Sequence, residues 1–257
     1  MSTGRTRSRL LRVLAILALI ALGVYAYWDN TPTRKVGRLL AELADRPGGH
    51  IDFFYTGRAS EAIQADIDAF GRRAVPALID GLSHRDPGVR YIAAQQLGRL
   101  GDARAVDALI VCTGEDDPII RSRSVRALGK IGSPRATETL LPLLDHEDVE
   151  FRLTVIEALG RIGDRRAYSP LLPHVEDKSI RIRAAAASAI GRTGDERALP
   201  ILQSLLTTDP YSDVRTQAAA GLGHLGLPGA TETLKAALED KSPYVRQAAQ
   251  ESLKRME

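Results

Sequence analysis

The sequence predicts an all-α protein: a right-handed α-solenoid of about six two-helix repeats, preceded by one N-terminal transmembrane helix. Three observations carry this reading. Val89-Arg90 returns every 31 residues as Ile120-Arg121, Phe151-Arg152, Ile182-Arg183, Val214-Arg215 and Val245-Arg246, with one step of 32 between the fourth and fifth units. A second marker keeps step: Leu97-Gly98, Leu128-Gly129, Leu159-Gly160, Ile190-Gly191 and Leu222-Gly223. The third is the run Val13 to Trp28, 16 residues without a charge. A fixed period in this range marks units that cannot bury their apolar faces alone and must stack.

From the N-terminus, residues 1–12 form a basic tail with four Arg and no acid, and 13–28 form a membrane anchor. Counted from Leu10, the anchor has 19 residues, about 28 Å at ~1.5 Å per residue, close to a hydrocarbon core of ~30 Å. Tyr25, Tyr27 and Trp28 suit the interface and favour an uncleaved anchor. A signal peptide cut after Val24-x-Ala26 or Ala21-x-Gly23 is the alternative. Arg5, Arg7, Arg9 and Arg12 favour an inside N-terminus, so the expected location is a bacterial inner membrane, single-pass, with a periplasmic solenoid. Cleavage would instead give a secreted or periplasmic protein. No cysteine follows the apolar run, which excludes a lipoprotein.

Residues 29–62 read as a linker and N-terminal capping helices, with an amphipathic helix over Lys35 to Leu43. Phe53-Phe54-Tyr55 are expected to cover the end of the stack. The solenoid runs from 63 to 257. It begins with a degenerate unit, Ile63 to Phe70 and Ala74 to Leu82, and ends with a polar first helix, Pro243 to Arg255.

Within a unit the first helix opens at a turn such as His84-Arg85-Asp86-Pro87, where Asp caps and Pro suits the first turn. Val89, Ala93, Leu97 and Leu100 then share one face. Gly101, Gly132, Gly163, Gly194 and Gly226 stop it, and Asp102, Ser133, Asp164 and Asp195 start the second helix. Small residues in mid-helix, Ala93-Ala94, Ala184 to Ala187, Ala218 to Ala220 and Ala248-Ala249, let neighbouring helices approach.

The pattern Asp-x-x-Val-Arg-x-x-Ala-x-x-x-Leu-Gly-x-x-Gly-Asp-x-Arg-Ala stands in the segment Asp86 to Ala105. It resembles the HEAT-like repeats of phycobilisome-lyase-type proteins, and the resemblance extends roughly from Ile67 to Arg255. It implies HEAT-like units whose Asp and Arg residues bridge adjacent repeats. Such repeats serve scaffolds, adaptors, lyases and a metal-dependent hydroxylase, so the fold alone does not choose among them.

Charge falls into columns. Arg90, Arg121, Arg152, Arg183, Arg215 and Arg246 form a structural ladder, and Asp86, Asp117 and Asp148 stand four residues before the first three, spaced for i,i+4 pairing. Arg104, Arg135, Arg166 and Arg197 form another. Arg99, Lys130, Arg161, Arg192 and His224 lie in the last helical turn, where a cation suits the dipole or an edge that meets an anionic partner. Removing residues 1–12 takes the net charge from +3 to −1, so the solenoid lacks the positive surface that nucleic acid needs.

His84, Glu115, His146, Asp177, Asp209 and Asp240 share one column in the loops. Repeats stack ~8–10 Å apart whereas ligands sit ~2 Å from zinc, so capping is expected there and no metal. The hydroxylases of this resemblance carry paired His-Glu motifs in helices. This chain has His146-Glu147 alone, in a loop. No nucleophile elbow, phosphate loop or dinucleotide fingerprint appears, and the single cysteine, Cys112, follows Leu109-Ile110-Val111 as a buried thiol.

The expected function is a membrane-tethered, non-enzymatic scaffold or adaptor binding another protein on its concave face. That face is expected to carry the second helices, with Asp107, Glu138, Tyr168, Gln203 and Glu232 as contacts. Membrane contact runs through the N-terminal helix, no cofactor or nucleic acid is called for, and nothing fixes an oligomeric state. A bilin-lyase-like or other ligand-handling protein is the alternative, with Arg columns holding propionates. The irregular step places an extra residue in the loop Thr207 to Asp213, where a break could bend the stack or display a contact.

Overall fold

The computed structural model describes residues 31–44, 65 and 67–257. The basic tail, the apolar segment 13–28 and Phe53-Phe54-Tyr55 lie outside the described residues. No helix among the described residues is long and apolar enough to cross a membrane. The described regular elements are all helical.

The chain divides into two compact units between Arg90 and Tyr91. In the first, α1 spans Pro32–Ala44 and α2 spans Val75–Gly81, preceded by a 3₁₀ turn, Gly71–Ala74. Val36 and Leu40, four apart on α1, are buried, as are Val75 and Leu78 of α2. Asp86 then caps α3, Pro87–Leu100, accepting from the Gly88 and Val89 amides at 2.8 and 3.3 Å. The division falls inside this helix.

The second unit is a stack of repeats. Its first helices after α3 are α5 (Pro118–Ile131), α7 (Val149–Ile162), α9 (Ile180–Arg192), α11 (Ser212–Leu225) and α13 (Pro243–Met256). Between them come α4 (Val106–Cys112), α6 (Thr137–Leu140), α8 (Tyr168–Leu171), α10 (Ala198–Thr208) and α12 (Thr231–Ala236). α6 and α8 continue as 3₁₀ turns, Leu141–Asp145 and Leu172–Glu176. Pro142 and Pro173 stand at those switches, where the missing N–H removes an i→i−4 bond. In α10 the proline, Pro200, falls in the first turn instead, and the helix runs unbroken for 11 residues.

That difference accommodates the irregular step. Between Gly194 and Asp209 lie 14 residues, against 13 between Gly163 and Asp177. Leu202 and Leu206 keep the 31-residue step from the buried Leu171 and Val175, so the extra residue falls at Thr207-Thr208, within the expected segment, where the chain is the last turn of α10 and not loop. The turn Asp209-Pro210-Tyr211 keeps the three-residue form of Asp177-Lys178-Ser179.

Each first helix packs on the next, and the Leu-Gly marker shows why this contact needs glycine. A Cβ on Gly129 would stand 2.7 Å from Ala158 Cα, and one on Gly160 would stand 2.9 Å from Ala189 Cα. At the irregular step glycine meets glycine: a Cβ on Gly191 would lie 2.5 Å from Gly221 Cα. The first helices are therefore in backbone contact, and the stack is closed tightest on their side. Leu97, Leu128, Leu159, Ile190 and Leu222, beside those glycines, are fully buried and form the axis of the core.

Candidate functional site

The arginine ladder is structural, by a different contact from the one its spacing suggests. Arg121, Arg152, Arg183, Arg215 and Arg246 each donate from Nη1 to the carbonyl six residues earlier, at 3.1, 2.7, 2.8, 2.9 and 2.8 Å. Arg90 does the same to His84 at 3.0 Å. Asp117 and Asp148 do not pair with Arg121 and Arg152, because their carboxylates cap the helix, accepting from Ile119 and Glu150 at 2.8 and 2.9 Å. Within this ladder, bridging between repeats begins with Arg183, where Asp177, Asp209 and Asp240 sit two residues before the N-cap. Arg183 reaches Asp209 at 3.2 Å, and Arg215 holds Asp240 at 2.8 and 3.0 Å. Besides those bridges, the loop column caps its own turns: His146 Nδ1, Asp177, Asp209 and Asp240 each accept the amide two residues on. Among the described residues no group of metal-binding side chains forms.

Four of the five residues expected on the partner-binding face are tied to a neighbouring repeat. Asp107 pairs with Arg135 at 2.6 Å, and Glu138 with Arg166 at 2.7 Å. Tyr168 is buried, with the Arg197 guanidinium 4.6 Å over its ring. Gln203 donates to Gly229 O and Thr233 Oγ1 at 3.0 and 2.9 Å. Glu232 pairs within its helix with Lys235 at 2.9 Å. Four of the five thus fasten one second-helix segment to the next. Arg166 and Arg197 are themselves oriented by Asp164 and Asp195, whose carboxyls they hold low, that of Asp164 at about 2. Ser133, at the equivalent position, makes no cap bond.

On the other side of the second unit four successive first helices line a groove of about 610 Å³. Its floor is the small-residue face of α9, Ala184, Ala185, Ser188 and Ala189. Leu153 and Glu157 of α7 wall one side; Asp213, Thr216 and Gln217 of α11 and Tyr244 of α13 wall the other. Tyr244 is 69% exposed. The trough exists because an alanine run stands between helices with longer side chains. Leu153 lies 31 residues before Ala184 and Tyr244 lies 31 residues after Asp213, so the register alone held the clue, but it required knowing which face closes.

Arg161 and Arg192 line the end of this groove, in the last turns of α7 and α9. They continue a ridge of cations from Lys130 to His224 and, 31 residues further, Arg255, which the column read from the sequence omitted. Arg255 Nη1 lies 3.1 Å from His224 Nδ1.

A family profile of HEAT repeats matches residues 75–151, 137–223 and 212–257. The chain belongs to the HEAT-repeat family. No curated protein sequence matches it. Among solved structures, the HEAT-repeat chain is similar to the complex of CpcE and CpcF of phycocyanin lyase from Nostoc sp. PCC7120, at 24% identity and a TM-score of 0.51. That match covers 80% of this chain and 93% of the other. An archaeal HEAT-like repeats protein from Thermococcus onnurineus NA1 matches at 15% identity and a TM-score of 0.52, over 87% and 96%. A designed armadillo repeat protein in complex with the peptide (KR)4 matches at 18% and 0.51, over 71% and 99%. At these identities the likeness is one of fold.

The electrostatics of the HEAT-repeat ridge are set by crowding. Burial and the neighbouring Arg161, Arg123, Arg99 and Arg126 lower the Lys130 ammonium. Burial, Arg161 and Arg255 lower Arg192. Burial, then Arg192 and Arg255, push the His224 imidazole down to about 4. At neutral pH His224 is uncharged, and the arginines around it are charged.

Proposed function

We propose that this HEAT-repeat chain is a membrane-tethered, non-enzymatic scaffold or adaptor that binds a protein partner in the first-helix groove. The observation that carries this reading is the form of the groove. It crosses four successive repeats through equivalent helical faces, which suits an extended chain laid across the stack. Its open trough with an exposed tyrosine at one wall supplies the aromatic anchor that protein interfaces favour. The tether rests on the uncharged run Val13 to Trp28, and the periplasmic placement on Arg5, Arg7, Arg9 and Arg12.

A chromophore- or ligand-handling role of the kind named for the phycocyanin lyase is the second reading. Arg161 and Arg192 at the groove end favour it, as anchors for a small molecule's carboxylates. Filling the groove distinguishes the two. Ala185→Trp, assayed by co-purification from native membranes, abolishes recovery of a stoichiometric protein partner under the first reading. A lone chain that instead loses a bound small molecule supports the second.

A further inference from the structure

We infer that the groove takes an acidic, extended segment of that partner, with its carboxylates held by the ridge of Lys130, Arg161, Arg192 and Arg255. The inference rests on the protein-binding reading above and names the partner's chemistry.

The first support is a contrast in how this unit treats its cations. Arg135, Arg166, Arg181, Arg183, Arg197 and Arg215 each hold a carboxylate of the chain. Lys130, Arg161, Arg192 and Arg255 have no carboxylate within ion-pair distance among the described residues. Their near neighbours are one another, with Arg123 and Arg126 beside Lys130 and the neutral His224 between Arg192 and Arg255. Arg121, Arg152 and Arg246 donate instead to backbone carbonyls, and Arg123 and Arg126 to the hydroxyls of Tyr91 and Thr154. The ridge is thus a row of cations without a carboxylate, one in each of several repeats, and its Arg161 and Arg192 line the groove. Like charges held together in this way wait for an anion.

Geometry selects the anion. Packed helices stand ~8–10 Å apart, so the cations recur at about that interval. An extended chain advances ~3.3 Å per residue, so a carboxylate at every third position stays in step with them. The alanine floor admits a backbone, and Thr216 and Gln217 offer it hydrogen bonds. Glu157 and Asp213 line the trough as well, one on each wall. They would repel the continuous phosphates of a nucleic acid, and a bilayer surface cannot enter a trough. A single peptide strand with spaced carboxylates meets both walls.

The helix dipole is the competing account of a cation in each last turn, and it makes the opposite prediction for stability. The full-length chain in nanodiscs of neutral lipid is titrated into a fluorescein-labelled peptide carrying glutamate at every third position between Gly and Ser. The same peptide with lysine in place of glutamate serves as control. The expected result is anisotropy binding of the glutamate peptide alone, weakened roughly tenfold or more by Arg161→Glu with Arg192→Glu, while the melting temperature holds or rises. Equal affinity for variant and wild type overturns the inference. So does a variant that melts lower and loses binding only as it unfolds. Competition by oligo-dT or by phosphatidylglycerol vesicles at equal charge also overturns it, by reassigning the ridge to phosphate. Absence of peptide binding, with Ala185→Trp still abolishing partner recovery, removes the acidic-segment inference and leaves the groove reading standing. If Ala185→Trp leaves partner recovery unchanged, the groove reading falls as well.

Discussion

Arg215 of one repeat grips Asp240 of the next through two nitrogens, at 2.8 and 3.0 Å, with the guanidinium side chain only 6% exposed. The same guanidinium donates to the carbonyls of Asp209 and Pro210. One buried side chain therefore ties two consecutive inter-repeat turns. Removing one partner of a buried pair strands the other charge, so Arg215→Ala is expected to cost about 3 kcal/mol, read from urea unfolding. Arg215→Lys recovers only part of this, because an ammonium lacks the planar fork. Arg135→Ala, whose pair with Asp107 is exposed on both sides, costs about 1 kcal/mol or less.

The helix contacts predict a ranking among glycine-to-alanine substitutions. Gly160→Ala puts a methyl 2.9 Å from both Cα and Cβ of Ala189 and forces two backbones apart, at roughly 1–3 kcal/mol. Gly101→Ala, at φ +63° with open space around it, costs only about 1 kcal/mol through backbone strain. Gly37→Ala in α1 meets nothing within 4 Å and stabilises by about 0.5–1 kcal/mol. Thermal melts of the three variants check the order.

Acid should unfold this protein in two separable windows. His224 has a folded pKa near 4, below its ordinary ~6.5, so the unfolded chain takes up a proton first. Stability is then lost as pH falls from about 6.5 towards 4, and His224→Gln flattens that limb. Asp164 has a folded pKa near 2, below ~3.9, and its contribution, on the order of 2 kcal/mol at neutral pH, is lost between about 4 and 2. Asp164→Asn lowers stability at pH 7 and flattens the lower limb. Denaturant midpoints measured across pH 2.5–8 separate the two.

Crowding in the ridge predicts a salt effect of unusual sign for a protein rich in ion pairs. Screening relieves the repulsion among Lys130, Arg161, Arg192 and Arg255, so Arg192→Gln is expected to raise the melting temperature at low salt. The gain should shrink as ionic strength shortens the ~10 Å screening length at 0.1 M. Calorimetry at low and high salt reads it directly.

The stack was legible because its rules are periodic. Val89-Arg90 and its repeats set the register, and Gly132 and Gly163, both at positive φ, end their helices where the pattern requires. Three matters were not legible, two because they depend on distance between repeats and one because two local partners compete for one carboxylate. Asp107 and Glu138 looked free for a partner, yet Arg135 and Arg166, 28 residues on, reach back to them. The 31-residue column hid that offset. Arg121 and Arg152 looked paired to the preceding Asp, but helix capping claims that carboxylate first. The closed side of the stack was invisible as well. It follows from Gly160 against Ala189 and Gly191 against Gly221, and a single repeat holds only half of each contact.

The central claim is that partners enter on the first helices. It is tested most directly by placing a photo-crosslinking residue at Ala185 in the groove or at Asp107 on the second-helix side, in the full-length chain inside the cells that make it. Mass spectrometry then reads the products. The account predicts a protein adduct of one mass from Ala185 and none from Asp107. Adducts from Asp107 with a silent Ala185 would contradict it.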